Sequence, residues 1–140
     1  MKIMSVDLGK ARTGIAVSDV SESFAFPNCV ITEYNEDKMV LKVCAKAKEL
    51  GAELIVAGLP KNMDGSEGFR AEECRAVAKK IADSSGIEVV MWDERCTTVS
   101  AHTVLNMNDT KGKKRKQTVD AVAAVMILED YLKYRKNKKD

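Results

Sequence analysis

Two short apolar runs, Leu54-Ile-Val-Ala57 and Ile87–Trp92, constrain the fold of this 140-residue chain more than any other feature. The first is continuously apolar and the second is broken only by Glu88, the pattern of β-strands buried on both faces. Each also follows a stretch with helical periodicity. Met39, Val43, Ala47 and Leu50 recur at helical spacing before Gly51, which supplies the stop. A second helix is expected from Glu67 to about Ser84, with Ser66 as its cap and Gly86 near its end. Strands alternating with helices imply a sheet with helices packed against it.

The N-terminal third reads differently. Ile3–Leu8 and Thr13–Ser18 are two strands joined by the short turn Gly9-Lys-Ala-Arg-Thr13, and Gly14 marks a bulge or a close backbone approach. A third strand, Cys29–Thr32, follows the loop containing Pro27. Beyond the last apolar strand, Thr97 or Thr98 caps a helix to about Met107. A final long helix carries a stripe of Val119, Val122, Ala123, Met126, Ile127, Asp130 and Leu132, with Ala121, Ala123 and Ala124 small enough for close approach to a sheet. The fold class is therefore α/β: a mixed five-stranded sheet, antiparallel across the first three strands and parallel afterwards, flanked by helices. Residues 1–140 form one domain, and ligands are expected where strand ends splay apart.

Composition narrows the function. Apolar content of 45% with 31% charged residues fits a globular protein, no apolar run is long enough to span a bilayer, and Asp7 interrupts the first hydrophobic stretch. No membrane partner is expected, and the cytoplasm is the default location. The four cysteines (Cys29, Cys44, Cys74, Cys96) lack a C-x-x-C pair and read as buried thiols in a reducing compartment. The net charge of +2 conceals an asymmetry, because residues 111–140 hold 10 of the 23 basic but only 4 of the 21 acidic side chains. That excess lies in a basic loop, 111–116, and a basic C-terminal tail, 133–140. The loop precedes Asp120 and would place positive charge where a polyanion docks.

Three acidic signals carry the chemistry. Asp7 ends the first strand, Asp93-Glu94 ends the last, and Asp120 opens the final helix. If the sheet brings those ends together, the carboxylates repel one another unless a proton or cation relieves them, and hard oxygen donors select Mg²⁺ or Mn²⁺. Alternation along a strand turns Asp93 and Glu94 to opposite faces. The longer Glu94 is preferred, with Asp93 in reserve. Arg95 either pairs a phosphate or neutralises Asp93.

Plainer readings exist for each residue. Asp7 with Gly9 could shape an ordinary hairpin, and Asp19 reads as a strand terminator. Asp120 in a first helical turn is stabilised by about 0.3–1 kcal/mol from the macrodipole, reason enough for an acid there. Lys61–Gly68 is either a substrate-contacting loop or a plain connection. His102 reads as a surface or packing residue. There is no G-x-x-x-x-G-K-[ST] and no G-x-G-x-x-G.

Four stretches in this order resemble the YqgF/RuvX family, Holliday-junction-resolvase-like nucleases of bacteria. They are Asp7-Leu-Gly…Gly14-Ile-Ala-Val-Ser-Asp19, Gly58-Leu-Pro-Lys-Asn-Met-Asp-Gly-Ser-Glu-Gly68, Asp93-Glu-Arg-Cys-Thr-Thr98 and Asp120-Ala-Val-Ala-Ala124 with Ile127-Leu128 and Tyr131-Leu132. The resemblance implies an RNase H-like fold and divalent-metal nuclease chemistry. It also implies a part in maturing the 5′ end of the precursor of 16S ribosomal RNA, with junction resolution as the older proposal. The family's acidic triad falls on Asp7, Glu94 and Asp120. Arg75 matches an arginine frequent in the family, and Cys96 stands where leucine is common.

The expected activity is phosphodiester hydrolysis with Mg²⁺ or Mn²⁺ held by the triad. Lys10, Arg12, Asn62, Arg75, Arg95, Lys113, Lys114, Arg115 and Lys116 are candidate nucleic-acid contacts. With only three Phe, three Tyr and one Trp, affinity should rest on charge rather than stacking. The expected partner is single-stranded or structured RNA, with branched DNA as a second substrate and ribosomal precursor particles as a setting. The protein itself is expected to be a monomer or weak homodimer. Two other classes compete: a non-catalytic RNA-binding or ribosome-assembly protein, and an ATPase of the actin/Hsp70 type, which needs two such domains.

Overall fold

The structure, a computed structural model, describes residues 1–9, 11–59, 68–93 and 112–139, with 69, 112–121, 138 and 139 described by their backbone alone. The elements are β1 (Ile3–Leu8), β2 (Arg12–Ser18), β3 (Ala25–Thr32), α1 (Glu36–Leu50), β4 (Leu54–Leu59), α2 (Phe69–Ser85), β5 (Glu88–Asp93) and α3 (Gly112–Lys139). The five strands form one sheet in the order β3-β2-β1-β4-β5. β1 pairs antiparallel with β2 and β2 with β3, whereas β1–β4 and β4–β5 are parallel. The mixed sheet expected from the sequence is therefore present. The expected helix from Thr97 or Thr98 to Met107 lies outside the described residues.

Helix ends follow local chemistry. Asn35 caps α1 by accepting the Lys38 amide at 3.0 Å, and Gly51 ends it in the left-handed conformation (φ 71°). There the Gly51 amide bonds the Lys48 carbonyl and the Ala52 amide bonds the Ala47 carbonyl, a Schellman closure that requires little from any side chain. Gly86 closes α2 in the same region (φ 72°).

The sheet is covered on both faces. β4 is buried throughout, as its continuous apolar run implies. β5, also expected to be buried, is an edge strand and only half-buried, with Glu88 exposed. On one face Met4, Val6, Leu8, Ile15, Ile55 and Ala57 pack under α1 and α2. On the other, Ile3, Ala16, Leu54 and Val56 pack under Ala124, Ile127, Leu128, Tyr131 and Leu132 of α3. Odd and even positions of each strand thus serve different layers.

Several boundaries differ from the sequence reading. β3 begins at Ala25, not Cys29, and runs through Pro27. It is an edge strand whose register shifts between Ile15 and Ala16 of β2, so a residue lacking an N–H is tolerated there. α2 begins at Phe69 with Gly68 at its cap position, while Ser66 lies outside the described residues. The stripe on α3 is partly rotated from the one expected. Ala123, Ile127 and Leu132 are buried as expected, but Val122 and Met126 are half-buried and Asp130 is exposed, while Ala124, Leu128 and Tyr131 are buried instead.

α3 brings the largest correction. It starts at Gly112, so residues 112–116 are helical rather than loop, and it continues through the expected tail to Lys139. Asp120 is consequently in the third turn and not the first. The macrodipole effect fades within one turn, so it no longer accounts for an acid at this position.

Candidate active site

Parallel pairing puts the C-terminal ends of β1, β4 and β5 on one edge of the sheet, with Leu59 level with Asp93. The start of β2 and the end of β3 reach the same edge, through the pairs Leu8–Thr13 and Arg12–Thr32. Asp7 is the penultimate residue of β1 and is half-buried. Met4, Val6 and Leu8 belong to the α1/α2 layer and Ile3 to the α3 layer, so alternation puts Asp7 on the α3 face.

Glycines lie beside that carboxylate in the sheet. Gly14 is the direct partner of Asp7 in β2. In β4, Gly58 follows Ala57, the partner of Val6. Neither neighbour carries a side chain, and both glycines are buried. The turn after Asp7 is held close as well: a Cβ on Gly9 would stand 2.3 Å from the Arg12 carbonyl oxygen. Only glycine fits that approach.

A hydrogen bond between distant residues sets where α3 lies relative to Asp7. The Ser5 hydroxyl, fully buried, donates to the Ala124 carbonyl oxygen at 2.6 Å. Further along α3, Arg135 donates from Nε to Glu22 Oε1 at 2.6 Å, and Glu22 lies past the end of β2, beside the start of β1. α3 therefore runs antiparallel to β1. Moving from Ser5 to Asp7 along the strand and from Ala124 to position 120 along the helix leads in the same direction, toward the same sheet edge. Position 120 is one turn from Ala124.

β5 separates the two adjacent acids. Val89 and Met91 pack with the α1/α2 layer, and Val90 and Trp92 with the α3 layer. Asp93 continues the first series, on the face opposite Asp7. Trp92 packs against Tyr131 and Tyr134 with centroids 5.4 and 5.2 Å away, joining the end of β5 to α3. Glu94 lies outside the described residues, as do Lys10, Asn62, Arg95, Cys96 and His102. Among the described residues no group of three acidic, histidine or cysteine side chains is assembled.

The remaining candidates are scattered. Arg12 opens β2 at the site edge and is half-buried. Arg75 is exposed on α2, in the layer across the sheet from Asp7. Lys113, Lys114, Arg115 and Lys116 occupy the first turns of α3, where the macrodipole disfavours cations. Asp19 does have the structural role expected of it. Its carboxylate accepts from the Ser21 hydroxyl and from the Ser23 and Phe24 amides at 2.8 and 2.9 Å, shaping the turn between β2 and β3. Burial pushes the Cys29 and Cys44 thiols up, which disfavours the thiolate as a soft ligand or nucleophile. One residue escaped the sequence reading: Arg70, in the first turn of α2, donates to the Leu8 carbonyl oxygen next to Asp7. Its only sequence signal is a basic side chain just after the glycine that starts the helix.

Comparison with known proteins decides the family. The profile of the Holliday junction resolvase RuvX family matches residues 1–134. The chain belongs to the RuvX family. Three relatives, each named "Putative pre-16S rRNA nuclease", support the assignment along nearly the whole length. The Bacillus cytotoxicus protein is 37% identical over 135 residues, covering 94% of this chain and 98% of the relative. The Clostridium beijerinckii protein is 39% identical over 132 residues, covering 94% and 96%. The Thermoanaerobacter pseudethanolicus protein is 35% identical over 139 residues, covering 99% and 100%. Among solved structures, Thermus thermophilus RuvC in complex with Holliday junction substrate matches with a TM-score of 0.62 at 13% identity, over 98% of this chain and 96% of that one. The fowlpox virus Holliday junction resolvase matches with a TM-score of 0.58 at 12% identity, over 96% and 99%. At such identities the RuvX-family chain shares their fold alone, and that fold is the RNase H-like one expected.

Proposed function

We propose that this RuvX-family chain is a divalent-metal-dependent nuclease that cleaves phosphodiester bonds in the precursor of 16S ribosomal RNA. The substrate is the one named for its relatives, and a cytoplasmic location is part of the same reading. The observation that carries the chemistry is the Ser5–Ala124 contact. It aligns β1 and α3 so that Asp7 and position 120 approach one sheet edge from two elements.

The donor set suits a hard cation. Asp7 is a carboxylate on a glycine-flanked stretch of sheet, and Asp120 is an acid whose place in the third turn the macrodipole does not explain. Glu94 follows Asp93, the last residue of β5, and would face the α3 layer if strand alternation extended one position further. These three residues would hold Mg²⁺ or Mn²⁺. Such ions, when bound, lower the pKa of an attacking water and stabilise the leaving oxygen.

The protein's own part is positioning. Gly14 and Gly58, having no side chains, would not themselves obstruct a phosphate approaching Asp7. From Ala124, α3 extends roughly 18 Å back to Gly112 at 1.5 Å per residue. β1 extends only roughly 10 Å from Ser5 to Leu8. The basic turn at 113–116 would thus project beyond the sheet edge, where it could hold a nucleic-acid backbone by charge. Arg12 would contribute a contact from the same edge, and Lys10, Asn62 and Arg95 are further candidate contacts. Arg75, from its place on α2, would reach only substrate that wraps onto the other layer.

The deciding experiment incubates purified protein with 5′-extended 16S precursor RNA in Mg²⁺ or in EDTA, beside Asp7→Asn and Asp120→Asn. Cleavage that needs Mg²⁺ and disappears in both variants is expected. RNA binding without cleavage would replace this reading with a non-catalytic assembly role. Because the family profile names junction resolution, a synthetic four-way DNA junction belongs in the same assay, and preferential cleavage of it would move the substrate from RNA to branched DNA.

A further inference from the structure

The strand end that carries Asp7 is gripped from the opposite face. Arg70 lies in the first turn of α2, its guanidinium donating through Nη2 to the Leu8 carbonyl oxygen and through Nη1 to Glu73 Oε2 at 2.8 Å. Leu8 immediately follows Asp7 but belongs to the α1/α2 layer. Arg70 and Glu73 also line a cleft of about 240 Å³ with Leu8, Gly9, Glu33 and Tyr34. The guanidinium thus already serves two acceptors, one of them a carboxylate that would repel phosphate.

We propose that Arg70 is a positioning residue for the Asp7 carboxylate, acting through the backbone of Leu8 from across the sheet. The inference rests on reading Asp7 as a metal ligand. Metal-binding groups must be held within about 0.5 Å of their working geometry, and the last residues of a strand are the least constrained by its ladder. Gly9 adds no side-chain packing that could steady the turn. Arg70 supplies that constraint, and because α2 directly follows residues 60–67, it ties the Asp7 strand end to the helix that leaves this segment. A planar guanidinium satisfies two diverging acceptors, which a lysine ammonium does only in part.

The test compares wild type, Arg70→Met and Arg70→Lys, first without metal and then with Mn²⁺ alone. In metal-free Arg70→Met, amide hydrogen exchange should accelerate in a peptide spanning residues 3–12 and stay unchanged in α1. Its Mn²⁺ dissociation constant should rise about ten- to a hundredfold, as when a group that orients a ligand is removed. Arg70→Lys should fall between the two. Exchange and Mn²⁺ affinity equal to wild type, with only a lower melting temperature, would mean plain structural support and overturn the proposal. Unchanged Mn²⁺ affinity with a raised KM for RNA would mean direct substrate contact and overturn it too. Failure of wild type itself to bind Mn²⁺ would instead remove the metal-site reading on which the proposal rests.

Discussion

Ser5 and Ala124, 119 positions apart in the chain, meet through a 2.6 Å hydrogen bond beneath α3. The Ser5 side chain has no exposure, so its hydroxyl has no access to water as an alternative partner. Replacing Ser5 with Ala should lower stability by about 1 kcal/mol, the net contribution of one such bond. Urea denaturation measures this. Ser5→Val should disturb more, because the added methyl groups press on the helix from below. Mn²⁺ affinity should then fall along with stability, since the displaced helix carries Asp120.

Gly9 offers a test of the turn. A methyl group there would fall 2.3 Å from the Arg12 carbonyl oxygen, a backbone atom that cannot rotate away. Gly9→Ala should therefore cost about 1–3 kcal/mol, as overpacking does, and shift the strand end beside Asp7. Nuclease activity should drop further than the stability loss explains. A variant as stable and active as wild type would show that the turn adapts freely.

Acid should reveal Asp19. The Ser21 hydroxyl first, then the Phe24 amide, hold its carboxyl down from 3.8 to about 2. Between those values the unfolded chain binds more protons than the folded one, so stability rises with pH. The contribution is complete above about pH 4 and is lost as pH falls through about 2. Unfolding curves for wild type and Asp19→Asn between pH 2 and 5 should converge toward the acid end, because the variant lacks the titrating group.

The basic start of α3 predicts effects of opposite sign on folding and binding. Lys113, Lys114 and Arg115 oppose the macrodipole in the first turn of a helix, where each cation costs about 0.3–1 kcal/mol at low salt, and Lys116 follows them. Changing all four to Gln, a comparable helix former, should stabilise the free protein. The same change should weaken RNA binding and reduce its salt dependence by roughly 0.7 in log–log slope for each phosphate that is no longer neutralised. Thermal melts and filter binding across a salt series check the two halves separately.

Local patterning in the chain was enough to specify the five strands and the helices between them, with β3 four residues short. Apolar runs such as Leu54–Ala57 report burial directly, and glycines such as Gly51 and Gly86 mark helix ends through a backbone conformation that is local. How those pieces face one another was set by packing. The hairpin turn at Gly9–Thr13 already sets Gly14 beside Asp7, but nothing near Ser5 in the chain announces that it bonds a helix more than a hundred residues later. The partly rotated stripe of α3 has the same origin: Ala124, Leu128 and Tyr131 are buried because the sheet meets that side, whereas periodicity alone allowed a neighbouring one. The helix start at Gly112 was equally hidden, since four basic residues look like a loop until the helix they open is in view. Local patterns encode what a residue does to its neighbours within a turn. Convergence of Asp7 and position 120 depends on packing across the sheet, which only the assembled chain sets.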